Sequence, residues 1–164
     1  LIGKTLVLLI APINTIVISY LTKRKERLTR SQFGKAVLAG GGVSLVFFVA
    51  CQIGTPLFVW LFYRNLYESV KGIVTVVNLA QILGLFSAFL FILVLTFTDE
   101  RWQLWIQLAH FCILLVSSVL AARTYGMMGF AVASLGANSL RVAAVVILGI
   151  VKAGKDKGDR NADR

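Results

Sequence analysis

The charges divide this chain into long apolar blocks. Uncharged stretches run over 5–22, 36–63, 72–98, 102–122 and 124–140, and the last resumes at 142–151 after a lone Arg141. A helix needs about 20 apolar residues to cross the hydrocarbon core of a bilayer. The pattern therefore predicts an all-α, polytopic helical membrane protein with five spans, at 5–21, 37–62, 73–97, 102–122 and 126–151. A basic connection at 22–35 and a basic tail at 152–164 flank them. Membrane barrels need short alternating segments broken by turn residues, and Pro occurs only at 12 and 56. Composition agrees: 58% of residues are hydrophobic and 15% charged, against about 25% charged in soluble domains. So few charges cannot cover a soluble surface, and so much apolar material excludes disorder.

Orientation follows from the basic residues in the short flanks, which stay on the cytoplasmic side. The connection after the first span holds Lys23, Arg24, Lys25, Arg27, Arg30 and Lys35 against Glu26, and the tail holds Lys152, Lys155, Lys157, Arg160 and Arg164. Four spans separate the two segments, so both can lie inside. The opposite connections offer only Arg64, Lys71 and Arg123. The first span then enters from outside and the C-terminus is cytoplasmic. Trp and Tyr favour the membrane–water interface, and Tyr20, Trp60, Tyr63, Tyr67, Trp102, Trp105 and Tyr125 all lie near expected span ends. Residues 22–35 read as a short interfacial helix with Leu28 and Phe33 dipping into lipid. The chain begins at Leu1, and the apolar run after Lys4 ends in KRKER rather than at a cleavage site. The expectation is a piece of a longer protein that lacks its N-terminal part.

The net charge of +10 raises the question of nucleic acid. The run at 23–35 has no set of interleaved aromatics and no accessible soluble domain to carry it. It reads as a topology signal touching anionic headgroups, with no nucleic-acid partner. Cys51 and Cys112 fall within spans as small hydrophobes, and no Cys/His ligand spacing implies a metal or cofactor. One His, no phosphate loop, no nucleophile motif and no carboxylate pair in a span argue against an enzyme. Asp99 and Glu100 adjoin in a short loop, where neighbours at i, i+1 diverge; Thr98 or Asp99 is placed to cap the fourth span.

Polar side chains within spans are costly in hydrocarbon and mark bundle interiors or wet cavities. In the fifth span Gly129, Ala133, Ala137 and Arg141 recur every four residues, with Ala144 three further on. Small residues in such a row permit close helix approach. Arg141 shares the row, with Asn138 beside it, and either points into the bundle or snorkels. Snorkelling must cover the ten residues to Val151, about 15 Å of helix. The fourth span carries Gln103, Gln107 and His110 on one seam continued by Ser117 and Ala121. His110 reads either as a hydrogen-bonding residue between helices or as a proton or anion ligand. The third span has Thr75, Asn78 and Gln81, the second Ser44 and Gln52 with Pro56 near its end, and the first Asn14. No span carries an acid.

Two stretches resemble a known family. GTPLFVWLFYRNLYESV (Gly54–Val70) and TYGMMGFAVASLGAN (Thr124–Asn138) look like corresponding segments of the bacterial polysaccharide (O-antigen type) exporters, lipid-linked oligosaccharide flippases within the multidrug/oligosaccharidyl-lipid/polysaccharide exporter superfamily. The sequence departs from that pattern at Phe62–Asn65, where a Gly is common. The resemblance implies two lobes working by alternating access in the bacterial inner membrane, with this chain as part of the second lobe. It implies a cargo of undecaprenyl-pyrophosphate-linked oligosaccharide, with membrane lipids and an N-terminal lobe of the same chain as further partners. Arg141, His110, Gln107 and Asn138 are the candidate cavity residues on that reading. Gly126, Gly129, Ala133 and Ala137 are the packing residues. A multidrug exporter, or a membrane scaffold without transport activity, are the alternatives.

Overall fold

The computed structural model describes residues 30–63, 67–95 and 98–159. The described chain is almost wholly helical, with no strand among the described residues. Helix α1 is Arg30–Phe62, α2 is Tyr67–Leu95 and α3 is Glu100–Asp159. All three are long and apolar enough to cross a membrane. They correspond to the second to fifth expected spans, and the first span, at 5–21, lies outside the described residues.

Helix α3 is folded back on itself. Its 60 residues, if straight, would measure about 90 Å at 1.5 Å per residue and would hold Gln107 and Arg141 about 50 Å apart. Instead Arg141 bonds Gln107 at 2.8 Å, and His110 and Asn138 meet at 3.2 Å. The reversal is at Gly126, whose φ of 61° and ψ of −143° fall in a region open essentially to glycine. Two antiparallel arms result, 100–125 and 127–159. The closure is tight, because a Cβ at Gly129 would run into the Ala121 carbonyl.

Helix α2 packs against both neighbours, and α1 meets α3 over a smaller area. The buried core is Phe33, Leu90, Leu93, Val94 and Val145. Gly149 on the second arm of α3 is a notch for the Phe33 ring, which a Cβ there would strike. Gly40 of α1 lies under Phe89, with an added Cβ 2.7 Å from that ring. Most other large apolar side chains point outward, among them Leu38, Leu45, Val46, Ile53, Leu57, Leu104, Phe111, Leu120 and Ile147. In water such a surface would aggregate; in hydrocarbon it is the solvated face.

Phe33 corrects one expectation. It is 1% exposed and sits in the core rather than dipping into lipid. Residues 30–35 belong to α1, which begins seven residues ahead of the expected span start at Val37. At the other end the helix runs on through Pro56 to Phe62. Between α2 and α3 the chain turns within a few residues. The Thr98 hydroxyl donates to the Val94 carbonyl at 2.7 Å and accepts from Gln103 Nε2 at 3.3 Å. Thr98 thus closes the end of α2, and its partner Gln103 is 5% exposed.

Candidate functional site

The two arms of α3 bring the four candidate cavity residues together. Gln107 and His110 stand one helical turn apart on the first arm, as do Asn138 and Arg141 on the second. Antiparallel arms match such i, i+3 pairs, giving two rungs separated by about 4.5 Å of helix rise.

The deeper rung involves α2 as well. Asn138 Nδ2 donates to the Ala80 carbonyl of α2 at 2.8 Å, and Asn138 Oδ1 lies 3.2 Å from His110 Nε2. The amide nitrogen is fixed by its carbonyl acceptor, so Oδ1 must accept and His110 Nε2 must carry the hydrogen. Gly84, one turn along α2 from Ala80, leaves room for the Asn138 amide, which would lie 3.4 Å from a Cβ there. His110 thus donates a hydrogen bond from the first arm to Asn138 on the second.

The second rung is a cation. Arg141 Nη2 donates to Gln107 Oε1 at 2.8 Å, and the guanidinium lies 5.4 Å from the centroid of the Phe91 ring. Its Nε is buried and has no hydrogen-bond partner among the described residues. Both of these partners, Gln107 and Phe91, line an open groove of about 460 Å³ together with Arg101, Gln103 and Leu104. A guanidinium has five N–H donors, and Gln107 engages one nitrogen through a neutral acceptor. No span contains a carboxylate, so no acid there can neutralise Arg141. A cation in a weakly polar setting is stabilised by an opposite charge. Arg141 itself is not one of the groove-lining residues and reaches the groove through its partners Gln107 and Phe91.

The packing row on the second arm is also legible. Gly129 and Ala137 are buried and Ala133 is half-buried. Beyond Arg141 the row continues at four-residue steps through the buried Val145 and Gly149, while Ala144 is exposed. The expected step of three to Ala144 is thus replaced by a step of four. On the first arm Ser117 bonds back to its own helix at the Ile113 carbonyl, 2.6 Å away. The neighbouring Ser118 is the buried one, 7% exposed.

A separate polar clamp joins α1 and α2. Asn78 Nδ2 lies 3.2 Å from the Cys51 carbonyl and 3.1 Å from Gln52 Oε1, and Gln52 Nε2 donates to Thr75 Oγ1 at 2.9 Å. Thr55 completes the set at 3.3 Å from Asn78 Nδ2. Gln52, Thr75 and Asn78 were expected polar span residues and Thr55 was not; Gln81 is exposed.

Sequence reasoning missed Gly84, Phe91 and Arg101 as neighbours of the site, whereas Gln103 was expected on one seam with Gln107 and lines the same groove. A lone glycine inside an apolar helix, as at Gly84, usually has a packing reason and was the available signal. Phe91 had none. Among the described residues no group of His, Cys, Asp and Glu has metal-ligand geometry.

The fold and site define an all-helical protein whose three long apolar helices are compatible with membrane spans, with a half-buried cation, Arg141, beside an open groove that Arg101, Gln103 and Gln107 help to line. No family model, curated protein or solved structure matches the chain.

Proposed function

We propose that this chain forms part of one lobe of a flippase that moves undecaprenyl-pyrophosphate-linked oligosaccharide across the bacterial inner membrane by alternating access. The observation that carries this reading is Arg141, held by Gln107 at 2.8 Å next to a groove lined by Arg101 and Gln103. A pyrophosphate is an anion with many acceptor oxygens, which suits guanidinium and amide donors. Gln107 orients Arg141, and Asn138 with His110 fixes the arm that carries it. The resemblance at Gly54–Val70 and Thr124–Asn138 supplies the class of cargo, and the basic segments support a cytoplasmic C-terminus.

The test is reconstitution of the complete protein into vesicles holding a fluorescent lipid-linked oligosaccharide in one leaflet. Time-dependent exposure to an added impermeant quencher is the expected result. Export of a cationic dye without movement of the lipid would replace the flippase with a multidrug exporter. Movement of neither would leave a scaffold.

A further inference from the structure

A second groove lies apart from Arg141, between the start of α1 and the far end of α3. It has a volume of about 310 Å³. Arg30, Gly34 and Leu38 form one wall at i, i+4 and i+8, Val146 and Ile150 the other, and Phe33 its inner side. From Arg30 to Leu38 the wall is about 12 Å long, close to the depth of one leaflet, about 15 Å. One end carries a guanidinium and the remainder is apolar, with no acid among the lining residues. The space beside Gly34 is open, since a Cβ there would meet nothing within 4 Å.

We propose that this groove binds one acyl chain of an anionic phospholipid, whose phosphate is held by Arg30. The apolar walls match the chain, and the single cation at the mouth matches the headgroup charge. The basic run at 22–35 places this end of α1 at the cytoplasmic face, where anionic headgroups attract Lys and Arg. Arg30 differs from Lys35, which is exposed on the same helix but does not line the groove.

Native mass spectrometry of the full chain in a neutral detergent tests this, with phosphatidylglycerol and phosphatidylcholine of identical chains as probes. The expected result is one phosphatidylglycerol bound about five-fold tighter than phosphatidylcholine, the discrimination one basic residue supplies. Arg30→Gln should erase that preference and Lys35→Gln should keep it. Gly34→Leu should fill the groove and abolish binding of both lipids at this site without lowering the melting temperature. Glycerol phosphate in large excess should not displace the lipid. Equal binding of the two lipids, or a preference that survives Arg30→Gln, overturns the proposal. So does displacement by glycerol phosphate, which would make this a free-phosphate site. If Gly34→Leu lowers stability and leaves lipid binding unchanged, the groove is filled by residues before Arg30 or by a second copy, and the proposal fails.

Discussion

Asn138→Ala removes a side chain that serves two helices at once. Its amide donates to the Ala80 carbonyl at 2.8 Å and its oxygen meets His110 Nε2 at 3.2 Å. Hydrogen bonds between membrane helices contribute about 0.6 kcal/mol on average and about 1.7 kcal/mol at most. Two of them give about 1.2 kcal/mol for the expected loss, with a ceiling of about 3.4 kcal/mol. The two bonds are unequal. The Ala80 carbonyl keeps its place in the α2 ladder, whereas His110 is left with a donor and no acceptor, which is the costlier vacancy. Unfolding of the reconstituted chain by SDS in mixed micelles, followed by tryptophan fluorescence, measures the loss. A double-mutant cycle with His110→Ala isolates the Asn138–His110 share, expected at about 0.6 kcal/mol. Asn138→Ala unfolding at the wild-type midpoint, with no coupling in the cycle, would refute the three-helix junction.

Gly126→Ala should lower stability by about 1–3 kcal/mol, since a side chain is strained at φ 61°; an unchanged melting temperature would count against the reversal there. Gly149→Ala should destabilise by about 1–3 kcal/mol through overpacking against Phe33. The double variant Gly149→Ala/Phe33→Ala should lose less than the two single losses added together, as residues in contact are non-additive. Asn78→Val should loosen α1 from α2, read as faster deuterium exchange in Gln52–Thr55 relative to the rest of α1. Gly84→Ala should be tolerated because its Cβ would stand 3.4 Å from Asn138, while Gly84→Leu should displace the amide and reproduce the Asn138→Ala loss in the same SDS titration.

Much of this architecture was readable because charge and hydropathy act locally. Spacing of Lys and Arg marked the apolar helices, and the reversal at Gly126 fell where the fifth span was expected to begin. The four-residue row from Gly129 to Arg141 pointed to a packed face; Gly129 and Ala137 are buried and Ala133 is half-buried. What sequence did not convey was pairing between helices. Phe33 looked like a lipid-facing aromatic because nothing near it in sequence reveals Gly149, 116 residues away, as its socket. Likewise the choice of Ser118 over Ser117 as the buried hydroxyl depends on small rotations of the first arm. Phe91 joined the site only through the crossing of α2 over the second arm of α3. Such contacts are set by tertiary geometry, and apolar periodicity is weak where lipid surrounds the helix.

The most direct test of the account is the charge at position 141 in the complete reconstituted protein, read as the initial rate at which lipid-linked oligosaccharide crosses the bilayer. Arg141→Gln keeps a hydrogen-bonding amide but removes the cation, and Arg141→Lys keeps the cation without the planar fork. The account predicts a loss of at least about ten-fold for Arg141→Gln, the equivalent of about 1.4 kcal/mol, with Arg141→Lys retaining an intermediate rate. Translocation by Arg141→Gln at the wild-type rate, with its unfolding midpoint unchanged, would contradict it.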